Sequence, residues 1–161
     1  MIPLEVVGVR VEMPSNQPIV LLKEIEGTRF LPIWVGAVEA TAIAFSQQGV
    51  EPPRPLTHDL MKDLLAQLKA TLTVVQLTEL RDGVFYAELH VQTKEMELIV
   101  SARPSDAIAL ALRTKSPIVA TENLMDEAGI EISDQDSTQA NDEVEKFREF
   151  LDQINPEDFE S

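Results

Sequence analysis

The chain has 161 residues, 44% hydrophobic and 25% charged, with no Cys and 13 Lys+Arg against 28 Asp+Glu, a formal net charge of −15. That apolar content, with a mean hydropathy near zero, excludes a disordered chain, and no run approaches the roughly 18–20 apolar residues of a membrane span. The lack of Cys excludes disulfides, Cys-ligated zinc, iron–sulfur clusters and thiol catalysis.

Residues 3–13 alternate as a strand with Val7, Val9, Val11 and Met13 expected inward. The cluster PSNQ at 14–17 reads as a turn, residues 18–25 as a second strand, Glu26-Gly27 as a hairpin-type turn and 28–35 as a third strand. Composition then switches to helix over 36–48, where Val38, Ala42, Ile43, Ala44 and Phe45 leave little polar face, and Gly49 stands as the C-cap. Three prolines punctuate 50–56, so neither helix nor central strand fits there. A second helix is predicted over 57–70, with Leu60, Met61, Leu64, Leu65 and Leu68 on one side. Strands at 71–81 and 84–93 flank Asp82-Gly83, a hairpin signal, and a further strand covers 96–102. Residues 104–114 form a third helix, apolar nearly all round and therefore buried. A short strand at 117–120 and a short helix ending at Gly129 complete a domain over 1–129.

Beyond it, 130–141 is polar and acidic and reads as a linker. Residues 142–161 carry Val144, Phe147, Leu151 and Ile154 as an amphipathic helical stripe that needs a surface, whether its own domain, a second copy or a protein partner. The expected fold class is α+β: a mixed, mostly antiparallel sheet with three main helices packed on it, plus the C-terminal amphipathic helix. Residues 126–161 hold 13 Asp+Glu and 2 Lys+Arg, so the acidity is mostly a property of the tail. A negative field repels phosphate backbones, so nucleic-acid binding needs a local basic cluster or a bridging cation. The opening MIPLEVVGVRVEM has no basic n-region and no small-residue cleavage site, so a cytoplasmic protein with no membrane partner is expected.

Polar groups gather at three element ends: Glu39 in the first turn of the first helix, RPLTHD at 54–59, and RPSD at 103–106. Loop-to-helix junctions present free backbone N–H groups and a positive dipole end, which suit phosphate or carboxylate. Arg54 and Arg103 can add phosphate contacts, and Glu39, Asp59 and Asp106 offer the oxygen ligands that Mg²⁺, Mn²⁺ or Ca²⁺ prefer. The plainer reading stands beside this one. Thr57 and Ser105 are good N-caps, the three acids suit the helix dipole, and Arg103 with Asp106 makes a structural ion pair. A largely buried third helix keeps Asp106 and Arg113 only where they are paired or face a cleft. His58 lies at the edge of an apolar helix face, packed or functional, whereas His90 sits on the polar face of its strand and is expected to be exposed. No P-loop, dinucleotide fingerprint or G-x-S-x-G elbow occurs, and 5% aromatic content without interleaved basic residues speaks against a single-strand binding platform.

The runs LPIWVGAVEATAIAF, RPLTHDLM, DGVFYAEL and SARPSDAIALALR, in that order, resemble the bifunctional nuclease (BFN domain) family over roughly residues 3–129. The tail NDEVEKFREFLDQINPEDF resembles the C-terminal extension of its bacterial members. The resemblance implies an α+β domain, often a homodimer, with nuclease activity on both RNA and DNA. Its motif residues fall on Glu39, Arg54, His58, Asp59, Arg103, Ser105, Asp106 and Arg113. Cleavage of DNA excludes an obligatory 2′-OH nucleophile, so water must attack phosphorus, and a divalent cation is the usual means. On this expectation Glu39, Asp59 and Asp106 hold one cation, and His58, with Asp59 and Asp106, carries catalysis. Arg54, Arg103 and Arg113 then receive phosphates. The competing reading is a non-enzymatic dimeric regulatory module whose acidic tail helix docks on a protein partner.

Overall fold

A computed structural model describes residues 1–132. In chain order these form β1 (Ile2–Glu12), β2 (Gln17–Glu24), β3 (Arg29–Trp34), α1 (Ala37–Gln48), α2 (Thr57–Gln67), β4 (Thr71–Arg81), β5 (Val84–Gln92), β6 (Glu97–Ala102), α3 (Pro104–Thr114), β7 (Ile118–Ala120), α4 (Glu122–Ala128) and β8 (Ile130–Glu131). The expected linker therefore opens with a strand, since β8 pairs with β3 through Phe30 and Ile130. The remainder of that linker and the expected helix over 142–154 lie outside the described residues.

The fold is α+β. The eight strands make one sheet in the order β6-β5-β4-β7-β1-β2-β3-β8. Every neighbouring pair is antiparallel except β4 with β7, which the β6–α3–β7 connection brings back in parallel. Asp82 and Gly83 both have positive φ, 53° and 76°, the backbone a two-residue hairpin turn demands. The run PIVLL makes β2 buried on both faces, with Val20 and Leu22 in the main core and Ile19 and Leu21 on the opposite side. In β1 a register shift between Val6 and Gly8 changes which parity faces the core. Leu4 and Val6 point inward before it, and Val9 and Val11 after it. The alternation expected at Val7 and Met13 therefore fails: Val7 is at the bulge and Met13 is 66% exposed.

α3 is the central helix, packed against α1 and α2 and against β4 and β5. Its small and branched apolar residues from Ala107 to Ala111 are at most 1% exposed. α1 buries Ala40, Ala42, Ile43, Ala44 and Phe45 and ends at Gly49, whose φ of 68° is the left-handed conformation of a helix C-cap. Val38, expected inward, is exposed. α2 departs further from expectation, because Leu60, Leu64 and Leu68 are exposed and the core side is His58, Met61 and Leu65. The helix is rotated so that a histidine, not a leucine, is its one buried residue.

The caps differ as well. Leu56 and Arg103 are the N-caps of α2 and α3, and Thr57 and Ser105 lie inside the first turns. Pro104 takes the first helical position of α3, where its missing N–H costs nothing. In α2 the capping is supplied by Asp59, whose Oδ2 accepts from the Leu56 N–H at 3.0 Å. No helix among the described residues is long and apolar enough to cross a membrane.

Candidate functional site

The three polar junctions converge. Arg103, the N-cap of α3, donates from Nε to Asp106 Oδ2 at 2.8 Å and from Nη2 to Glu39 Oε1 at 3.0 Å. His58 Nε2 lies 2.9 Å from Asp106 Oδ1. The result is a continuous chain Glu39–Arg103–Asp106–His58 linking the starts of α1, α3 and α2. An ionised carboxylate only accepts, so Nε2 of His58 carries the proton of this bond, and Nδ1 is the lone-pair nitrogen of the neutral ring. Arg103 is the exposed member, with its side chain 65% exposed, against 19% for Glu39, 28% for Asp106 and 8% for His58. Among the described residues Nη1 of Arg103 makes no hydrogen bond.

Burial pushes the Asp106 carboxyl up, but the hydrogen bond from Arg103, then that from His58, and the positive charge beside it win and hold it below its ordinary value. Asp106 thus remains ionised at neutral pH. Its contribution to stability is present above the unfolded carboxyl range and is lost as pH falls through the lowered value. Arg103 is held above its ordinary value, chiefly by Asp106 and then by Glu39. The Glu39 carboxylate is folded back over Gly36, where a Cβ would overlap Oε2.

Asp59 and Arg113 form a separate unit. Arg113 Nε donates to Asp59 Oδ1 at 2.7 Å, Nη1 to the Ala109 carbonyl and Nη2 to the Ala42 carbonyl. Its side chain is 7% exposed. With Asp59 Oδ2 committed to the Leu56 N–H, both residues serve as a clamp joining α1, α2 and α3. Arg54 is exposed in the α1–α2 loop and makes no hydrogen bond or ion pair among the described residues. His90, expected to be exposed, is not: its side chain is 16% exposed and lies between Glu97 at 3.1 Å and Glu88 at 3.5 Å. Cross-strand pairing of β5 with β6 brings Glu97 onto that face.

The cation expected on Glu39, Asp59 and Asp106 does not fit this arrangement. Arg103 bridges Glu39 and Asp106, whereas Asp59 is turned away from them and paired with Arg113. Among the described residues no three His, Asp or Glu side chains converge to hold a metal ion. The arrangement suits an anion met by an exposed guanidinium, beside a buried acid/base pair.

On the other side of Arg103 is a cleft of about 430 Å³ that the sequence did not signal. Trp34 and Val35 at the end of β3, Gly36, the hairpin residues Gly83 and Val84, Phe85, and Arg103 to Ser105 line it. Its two aromatic rings come from strands far apart in the chain, and no local pattern links them.

The model of the bifunctional nuclease domain matches residues 20–133, and the chain belongs to this family. It is 51% identical over 163 residues to an uncharacterized protein of Mycobacterium tuberculosis strain H37Rv, covering 98% of each. It is 29% identical over 128 residues to Bifunctional nuclease 2 of Arabidopsis thaliana, covering 76% of this chain and 39% of that protein. Bifunctional nuclease 1 of Oryza sativa subsp. japonica is 24% identical over 120 residues, covering 73% of this chain and 36% of the rice protein.

Proposed function

We propose that the chain is a nuclease that hydrolyses phosphodiester bonds of RNA and DNA with water as nucleophile. The observation that carries this reading is the chain His58–Asp106–Arg103–Glu39, assembled from three helix starts, in a family that includes proteins named bifunctional nucleases. In it His58 takes the proton of the attacking water, and Asp106 orients the ring and stabilises the imidazolium that forms. Arg103 meets the scissile phosphate through its spare Nη1 and offsets the charge that develops on the phosphoryl oxygens. Glu39 holds Arg103 in place. Arg54, exposed in the α1–α2 loop and without a partner among the described residues, is assigned to a neighbouring phosphate. No step is routed through a cation, because the carboxylates expected to hold one are paired with guanidinium groups. Cleavage of labelled single-stranded RNA and DNA by the full chain, with EDTA or added Mg²⁺, Mn²⁺ or Ca²⁺, and with the Asp106→Asn variant in parallel, tests the reading.

The same proposal includes a homodimer joined through β6. That strand is one of the sheet's two edge strands, and Leu98, Ile99 and Val100 on it are 42%, 60% and 47% exposed. An apolar edge of this kind is ordinarily covered or charged in a monomer. Mass measurement in solution is expected to give a dimer for the full chain and a monomer for Ile99→Lys. A wild-type monomer at the same concentration would remove β6 from the proposal.

A further inference from the structure

We infer that the cleft between Trp34 and Phe85 is a nucleobase subsite, which takes an unpaired base next to the phosphate that Arg103 receives. This inference rests on the nuclease reading and names the part of the substrate recognised beside the reacting group. Three observations lead to it. The cleft volume, about 430 Å³, lies within the roughly 300–1,000 Å³ of small-ligand sites. Its walls are mixed: Trp34 and Phe85 supply aromatic surface beside polar Gln17 and Ser105, with the indole 48% exposed and Val84 53% exposed at the hairpin tip. Trp34 donates a hydrogen bond from Nε1 to Glu12 Oε2 at 3.0 Å, which tethers the half-exposed ring at its edge. Third, Arg103 is shared: it lines the cleft and also bridges Glu39 and Asp106. A phosphate on its free Nη1 therefore has the cleft beside it, where the base of the same or the adjoining nucleotide can lie.

Aromatic walls stack on any base, since every base presents a π face, and this gives affinity without sequence preference. The subsite excludes paired bases, because a base within a duplex is already stacked and its faces are covered. The substrate class is therefore an unpaired stretch of RNA or DNA. Stacking also answers the charge problem, since a chain of net charge −15 gains little from long-range attraction to phosphates and needs short-range contacts instead.

Trp34 is the single tryptophan of the chain, so its fluorescence reports the subsite directly. The full chain is titrated at low salt with a short phosphorothioate-linked oligothymidylate, which resists cleavage, and with an abasic strand of the same length and linkage. Fluorescence anisotropy of end-labelled strands measures binding independently. The expected result is saturable quenching by the thymidylate, with the abasic strand binding roughly tenfold more weakly and not quenching. Phe85→Leu, which keeps apolar volume in a side chain packed partly on the core, weakens thymidylate binding roughly five- to tenfold. Binding by anisotropy without quenching, or equal binding of the abasic strand, overturns the subsite and leaves the nuclease reading standing where cleavage is observed. Failure of both strands to bind, together with absence of cleavage, overturns both.

Discussion

Replacing His58 with Gln is expected to lower cleavage of RNA and DNA by roughly two to three orders of magnitude, within the range that general acid–base catalysis supplies. His58 is the one buried residue of α2, and it meets Asp106 at 2.9 Å. A glutamine amide can still donate to Asp106 Oδ1, so the carboxylate keeps a partner, but the side chain has no basic nitrogen to accept a proton. The variant should therefore separate chemistry from folding, with initial rates collapsing while the urea midpoint moves little. His58→Ala is the complement: it leaves a cavity and strips Asp106 of one hydrogen bond, so both readouts fall. Wild-type rates in His58→Gln would make His58 a packing residue that secures α2.

Arg113→Met is expected to destabilise the fold by about 3 kcal/mol, a drop in Tm of roughly 6–12 °C for a chain of this size. Three of its nitrogens are engaged, with Asp59 and with the carbonyls of Ala42 and Ala109. Methionine keeps the apolar stem but leaves Asp59 without its countercharge and removes the side-chain donor from two helix carbonyls. Asp59 is 27% exposed, which lets water relieve part of the cost and keeps the value at the low end for a broken buried pair. Asp59→Asn should cost less, since the amide oxygen still accepts from Nε. A thermal melt of each variant checks the pair. An unchanged Tm for Arg113→Met, with weaker substrate binding, would return Arg113 to the phosphate-receiving role that its sequence position suggests.

These two residues also show what the chain's sequence discloses and what it does not. Elements set by local chemistry were legible: Asp82-Gly83 fixes the β4–β5 hairpin, Gly49 ends α1, and the apolar run of α3 marks a buried helix. The three polar junctions were legible too, because acids, arginines and a histidine at helix starts stand out from an apolar background. Their partners were not, since partners depend on how helices pack. Asp59 looked like a companion of Asp106, yet the rotation of α2 that buries His58 turns Asp59 to Arg113. The same rotation defeats the leucine stripe, leaving Leu60, Leu64 and Leu68 exposed. In β1 one extra residue at the Val6/Gly8 bulge exchanges the two faces, and period-two alternation carries no mark of that event. The aromatic cleft was invisible for a related reason. Trp34 and Phe85 belong to different strands, and only the folded sheet and the N-terminal turn of α3 set them around Arg103.

The most direct test of the account is a side-by-side time course of single-stranded RNA and DNA cleavage by the full chain and by Asp106→Asn, purified identically. Asn retains an acceptor for Arg103 and a similar volume, but it removes the charge that joins Arg103 to His58. The account predicts cutting of both nucleic acids by the wild-type chain, and a loss of at least about a hundredfold in a variant that remains folded by circular dichroism. Equal rates from the two proteins, or no cutting by a folded wild-type chain under any of the cation conditions, would contradict it.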